Sequence, residues 1–255
     1  MPQFKNDILE SVAFQLALDF ACSPEDFLRD ENTVIKSKLL TERRRFRKDP
    51  DFFRVACFGQ GAVAAVDEKI YEFVYDLLKK VDGIDLFDAK AVFLINRELE
   101  KYGKAIGSFN QYYLPPTPYQ YPYPDNMGFC TVVVEEEDIP SLYGDKRFSN
   151  ALMYEQKNGR HDVLAVCAMN GNSIIGIAGA SDDSDRMWQI GVDVLPEYRK
   201  NGTASVLVSM LTREVFMRGA IPYYGTWWSN IASRNVARRC GYYPAWVEMT
   251  AVTIE

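Results

Sequence analysis

The residues best suited to chemistry stand together at Arg199-Lys200-Asn201-Gly202-Thr203-Ala204. An apolar run that stops at Pro196 leads through this glycine-bearing bend into a helical pattern starting near Gly202. A bend of that kind presents several backbone amides to one point. At a helix start those amides lack internal partners and the macrodipole adds partial positive charge, which suits a phosphate or diphosphate. Gly202 and Ala204 are small, as close approach of backbone to ligand requires. Neither the glycine-x-glycine fingerprint after a first strand nor a Gly-Lys-Ser/Thr turn is present, so the Rossmann and Walker cradles are excluded.

Local charge agrees with an anionic ligand. From Arg199 to Cys240 the cations are Arg199, Lys200, Arg213, Arg218, Arg234, Arg238 and Arg239, against the single acid Glu214, in a chain of 255 residues with formal charge −6. Cations concentrated in one stretch of an acidic chain favour capture of a multiply charged small molecule, and the overall sign speaks against a nucleic-acid binder. Arginines decorating a solvated helix account for some of these charges but not for the glycine bend. A second basic run, Arg43-Arg44-Arg45-Phe46-Arg47-Lys48, either contacts phosphates or forms a solvated, ion-paired face, and short charge runs usually do the latter. No metal site is expected: the five cysteines are scattered without a Cys-x-x-Cys pair, and the only histidine, His161, sits in the polar stretch 158–162.

The elements that must position the bend follow from periodicity. Hydrophobic residues at 47% and charged residues at 25% are those of an ordinary globular chain, and the length fits two domains. Apolar spacings of three and four predict helices over Asn6–Phe20, Asp67–Lys80 and Asp88–Lys101, with another starting at the Ser23-Pro24-Glu25-Asp26 cap. A short hairpin is expected between Phe53 and Ala65 around Gly59-Gln60-Gly61. The stretch from Tyr112 to Pro124 holds five prolines among tyrosines, which argues against helix or central strand there. A domain boundary is placed in it, giving a mostly helical N-terminal domain at 1–126 and a second domain at 127–255. In the second, strands are predicted at Phe129–Val134, Val163–Met169, Ser173–Ala180 and Met187–Val194, then a helix from Gly202 to Met217, a strand at Ile221–Trp228, a helix at Asn230–Cys240 and a strand at Ala245–Thr253. The fold class is therefore α+β.

The pattern Val194-x-Pro196-Glu197-x-Arg199-x-x-Gly202-x-Ala204 resembles the acyl-CoA motif of the GNAT superfamily of N-acetyltransferases, Gln/Arg-x-x-Gly-x-Gly/Ala. Asn230-Ile231-Ala232-Ser233, with Val236-Ala237 and Gly241-Tyr242 downstream, is similar to the second GNAT signature. The resemblance covers roughly Met127 to Glu255 and implies a GNAT-like mixed sheet flanked by helices. The N-terminal half looks like the helical extension of a poorly characterised bacterial subgroup.

The resemblance also implies roles. The splayed strand end at Val192, Asp193 and Val194 would offer backbone groups to the pantetheine arm of acetyl-CoA. The amides of Arg199, Lys200, Asn201, Gly202, Thr203 and Ala204 would hold the pyrophosphate, Asn230 would bond the pantetheine arm, and Ser233 would lie near it. Asp193 is the first candidate for general base and Glu248 a distant second. Where many GNAT enzymes carry a tyrosine as acid for the departing thiolate this chain has Ala237, and Tyr223, Tyr224, Tyr242 and Tyr243 are the candidate substitutes. The implied function is an N-acetyltransferase using acetyl-CoA as cosubstrate and a small-molecule amine or protein amino group as acceptor. The alternative is a non-catalytic acyl-CoA-binding or regulatory module that has lost its acid. No membrane or nucleic-acid partner is expected, and with no apolar stretch of about 18 residues and no leader pattern the expected location is cytoplasmic.

Overall fold

The long helices of the chain lie where apolar residues recur at three and four positions. A computed structural model describes residues 2–116, 128–154 and 159–254, with the side chains of 2–6 left aside. In chain order the elements are α1 (Pro2–Phe20), β1 (Thr33–Lys36), β2 (Phe53–Cys57), β3 (Ala62–Val66), α2 (Tyr71–Leu78), α3 (Ala89–Glu100) and β4 (Lys104–Leu114). They continue with β5 (Cys130–Glu135), β6 (Asp162–Asn170), β7 (Ser173–Ser181), β8 (Met187–Val194), α4 (Thr203–Met217), β9 (Ile221–Trp227), α5 (Ile231–Arg239) and β10 (Tyr243–Thr253). The expected boundary at 126/127, and with it Pro118, Pro122 and Pro124, lies outside the described residues, as does Asn158 of the stretch around His161. The chain divides into two compact units, one of Asp7–Tyr112 with Ala245–Glu255, the other of Met1–Asn6 with Tyr113–Pro244.

The first unit is mixed rather than mostly helical, which corrects the sequence expectation. Its strands run in the order β1-β3-β2-β10-β4, with β2 and β3 forming the expected hairpin and β1 parallel to β3. Strand β1 is only four residues long, none of them buried, so it carries no readable alternation. Strand β4 reaches Leu114 and so includes Tyr112 and Tyr113, against the expectation of no strand from Tyr112 onward. The strand ends because the first proline follows at Pro115, where a ladder N–H is lost. The helix expected after Ser23 is a single 3-10 turn, Pro24–Phe27. Phe27 is buried there, but the following Arg29 to Asn32 are polar and give a second turn nothing to bury. The core packs Val55, Ala64, Ile70, Val74, Ile95, Leu99 and Met249 together.

The second unit holds a mixed sheet ordered β9-β8-β7-β6-β5. Strands β5 to β8 form an antiparallel meander, and α4 returns the chain so that β9 lies parallel to β8, as a crossover helix permits. Leu207, Val208, Leu211 and Val215 of α4 pack on Val166, Ala178, Ile190 and Val194 of the sheet. Residues 142–154 cover the opposite face, with Leu142, Phe148, Ala151 and Leu152 against Ala165, Cys167 and Ile177. Among the described residues no helix is long and apolar enough to cross a membrane.

Candidate functional site

The ladder between β8 and β9 runs from Met187↔Ile221 to Ile190↔Tyr224 and stops there, although β8 continues to Val194 and β9 to Trp227. The two parallel strands therefore part. On its other edge β8 stays paired with β7 through Gly176↔Val194, and the amide of Leu195 donates to Ile175 O at 2.9 Å. Strict alternation along an antiparallel pair then turns the backbone groups of Asp193 toward β7 and those of Val192 and Val194 toward the gap. Arg199 Nε donates to Val194 O at 2.8 Å, so Val192 is the strand-end residue whose N–H and C=O both remain for a ligand. The arginine of the motif thus braces the bend against the strand.

The bend is the second part. Gly202 caps α4 with φ 82° and ψ −4°, and Lys200 also has positive φ, 68°. The first is comfortable only for glycine; the second costs a side-chain-bearing residue about 1 kcal/mol. Left-handed residues beside a helix start make the backbone concavity that holds anions. The amide of Arg199 is spent on Pro196 O at 3.3 Å, and the helical bonds begin with Val206 N donating to Gly202 O at 3.1 Å. Between them, among the described residues, nothing accepts from the amides of Lys200, Asn201, Gly202, Thr203, Ala204 and Ser205. A Cβ built on Gly202 meets no atom within 4 Å, so there is room beside the bend. Six unanswered donors, open space and a helix N-terminus fit a diphosphate.

The other expected residues fall around the gap in different states. Asn230 caps α5, its Oδ1 accepting from Ser233 N at 3.1 Å, which leaves its amide Nδ2. Ser233 Oγ lies 2.7 Å from Tyr224 Oη, and Tyr224 belongs to the last β8–β9 pair. Burial pushes the Tyr224 phenol up to about 12. Ala237 is fully buried in the core of the unit. Of the other candidate tyrosines, Tyr242 is hydrogen-bonded to Thr212 Oγ1 at 2.6 Å within the core, and Tyr223 donates to Asp183 and, at 3.3 Å, to Gln189 Oε1.

Asp193 points to the face opposite α4. Its carboxylate accepts from Asn150 N at 2.6 Å and Asn150 Nδ2 at 2.7 Å. Sequence reasoning missed Asn150, because no motif marks a partner that acts across 43 residues. Two glycines paired across the ladder, Gly179 and Gly191, admit this loop to the sheet: a Cβ on Gly191 would stand 1.9 Å from Asn150 O, and one on Gly179 2.1 Å from Ala151 O. Glu248, the second candidate base, belongs to the other unit and is 1% exposed. Arg54 Nε and Nη2 donate to it at 2.9 and 2.8 Å, Arg44 Nη2 at 3.1 Å and Trp246 Nε1 at 2.8 Å. Burial alone would raise its carboxyl, yet the two guanidiniums hold it at about 2. A carboxylate so held is a poor proton acceptor near neutral pH, and that assignment is corrected.

Beside the gap, on the Asp193 face, lies a cleft of ≈ 370 Å³ between residues 149–154 and strands β7 and β8. Its polar edge is Arg160, whose Nη2 donates to Ser181 Oγ at 2.8 Å and Gln189 Oε1 at 3.3 Å and whose Nε pairs with the buried Asp183. Asp162 is consumed structurally: it accepts from Met153 N, Tyr154 N and Tyr143 Oη. Among the described residues no group of three or more histidines, cysteines and carboxylates converges to hold a metal.

Residues 111–242, just over half of the chain, match the family described as the Acetyltransferase (GNAT) family. The chain belongs to the GNAT acetyltransferase family. Its mixed sheet flanked by helices is the GNAT fold. Solved structures similar to it include a putative GNAT acetyltransferase of Novosphingobium aromaticivorans, 17% identical over 60% of this chain and 68% of that one with TM-score 0.44. A GCN5-related N-acetyltransferase of Kribbella flavida is 14% identical over 96% and 95% of the two chains, TM-score 0.49. An aminoglycoside N-acetyltransferase in complex with CoA is 18% identical over 46% of this GNAT chain and 92% of its own, TM-score 0.33. No curated protein matches the chain.

Proposed function

We propose that the chain transfers an acetyl group from acetyl-CoA to an amine acceptor. The observation that carries the reading is the conjunction, in one unit, of the β8–β9 splay with six unanswered amides at residues 200–205. The amides would hold the pyrophosphate, and Val192 in the gap would pair with the pantetheine amides as an added strand does. The Asn230 amide would reach the same arm. A thioester carbonyl so placed is polarised by a strand N–H, and holding amine and thioester in line supplies much of the rate.

Asp193 is the proposed proton acceptor, fixed in direction by Asn150. Tyr224, with Ser233 behind it, is the proposed proton donor to the thiolate, since it is the tyrosine of the last ladder pair before the gap. The domain division proposed with this function places transfer in the C-terminal part of the chain. The N-terminal part would serve as an extension, and the protein would work in the cytoplasm.

A second reading, a CoA-binding module without turnover, draws on Ala237 standing in the core where a tyrosine acid is usual and on the two bonds that already occupy Asp193. One experiment separates them: thiol release from acetyl-CoA over a panel of amines, run beside equilibrium binding of CoA. Turnover supports the enzyme, tight binding without turnover on any amine the module, and absence of binding overturns both.

A further inference from the structure

The cleft beside the gap carries donors that the fold does not use. Arg160 spends Nε and Nη2 on Ser181, Asp183 and Gln189, and among the described residues nothing accepts from its Nη1. Gln189 Oε1 accepts from Arg160 and Tyr223, while its amide Nε2 has no partner among the described residues. The carboxylates nearby are not their equal in availability. Asp183 is fully buried, held by Arg160, Ser181 and Tyr223, and Asp162 is saturated by backbone amides and Tyr143. Among the described residues an acceptor entering the cleft therefore meets unanswered N–H groups, one of them on a guanidinium, and no lining carboxylate left free to bind a second cation.

Position fixes how these donors stand to the chemistry. Gln189 pairs with Tyr223 one step before the last ladder pair, and the side chains of Gln189 and Asp193 share the face opposite α4, with Gly191 between them. Gln189 and Asp193 stand four residues apart, about 13 Å of strand rise, so an amine held beside Asp193 has its other end at Gln189 and Arg160 when an extended chain of several bonds separates the two. The cleft volume of ≈ 370 Å³ is that of a small-molecule site, near the low end of the usual range of about 300–1,000 Å³.

We infer that the acceptor is a small amine that also carries a carboxylate, an amino-acid-like molecule whose acid is bound by Arg160 Nη1 and Gln189 Nε2. This inference rests on the proposed acetyl transfer. A planar guanidinium edge with a neighbouring amide matches two carboxylate oxygens, and such charge-assisted bonds discriminate more strongly than neutral ones. The free amine forms the new C–N bond and the C–S bond of the thioester breaks; the amine gives its proton to Asp193, the thiolate takes one from Tyr224, and exchange with solvent returns both groups to their starting states.

The test uses the full chain and α-, β- and γ-amino acids, each paired with its primary amide, in the acetyl-CoA thiol-release assay. At least one amino acid should exceed its amide in kcat/KM by about tenfold or more, the scale of one charged hydrogen bond. Arg160→Lys should shrink that ratio, and Gln189→Glu, which puts a like charge opposite the substrate's acid, should reverse it. If a chain that binds CoA turns over no amine, calorimetric binding of the same pairs to the CoA complex takes the assay's place. Equal kcat/KM, or equal affinity, for acid and amide throughout overturns the inference and leaves acetyl transfer standing. No CoA binding at all overturns the proposed function itself.

Discussion

The two units concentrate charge in opposite ways. In the first, Asp19, Arg44, Arg54 and Glu248 are all buried and spend themselves on one another: Arg44 bridges Asp19 and Glu248, and Arg54 takes Glu248 from the other side. Phe20, Phe46, Tyr112 and Trp246 surround the guanidiniums. In the second, the amides of residues 200–205, Arg160 Nη1 and Gln189 Nε2 have donors to spare and space beside them. Charge that is buried and mutually answered holds a fold in one arrangement; donors left unanswered next to open volume await something from outside. Within the basic run at Arg43–Lys48, Arg44 belongs to the first kind as part of the buried cluster, and Arg47 pairs with Asp51 at 3.3 Å.

The comparison breaks most visibly at the cluster. Replacing Arg54 by Met leaves Glu248 and Asp19 short of a buried cation, and loss of one partner from a buried pair costs about 3–5 kcal/mol. Urea unfolding should show the midpoint fall accordingly, with CoA affinity of the folded protein unchanged. An unshifted midpoint would mean that the cluster stabilises little. Next comes Gly202→Glu, which places a carboxylate and a side chain at φ 82° in the proposed cradle. Acetyl-CoA affinity should weaken by about 100-fold or more, roughly 2.7 kcal/mol, with circular dichroism unaltered. Gly191→Ala presses a methyl on Asn150 O and should cost about 1–3 kcal/mol by overpacking. It should also lower turnover by shifting the Asn150–Asp193 pair.

Acid titration sharpens the contrast by sign. The folded Glu248 carboxyl stands at about 2 against 4.5 for the free group. Its stabilisation is therefore complete above about 4.5 and lost as pH falls toward 2. Asp162 in the other unit is raised, chiefly by burial, so its contribution runs the other way, with stability falling as pH climbs from its ordinary value to its folded one. The net loss of stability on acidification should accordingly shrink in Glu248→Gln. The smallest effect expected is Ser233→Ala, which removes the 2.7 Å partner of Tyr224 and should cost about 1 kcal/mol.

Much of the second unit was legible because its signals are local. Strand β8 has the predicted ends, Met187 and Val194, since Arg186 and Pro196 bound a mainly apolar run broken only by Gln189 and Asp193. Helix α4 starts one residue after the glycine that caps it. The bend could be read from Arg199, Gly202 and Ala204 because backbone conformation there depends on residue type. What escaped depends on partners far along the chain. Asn150 meets Asp193 across 43 residues, and Glu248 meets Arg44 across 204. A glutamate on a strand looks the same in sequence whether it faces a thioester or two guanidiniums. The strands of the N-terminal half were missed for a related reason: β4 interrupts its alternation with Ser108, Asn110 and Gln111, so no period-two signal survives.

The most direct test of the cradle is the amide spectrum of the chain titrated with CoA and, separately, with pantetheine, which lacks the pyrophosphate. The account predicts large downfield proton shifts for the amides of Lys200 through Ser205 with CoA and little change there with pantetheine. Those six resonances staying still while CoA binds, or moving equally with both ligands, would contradict it.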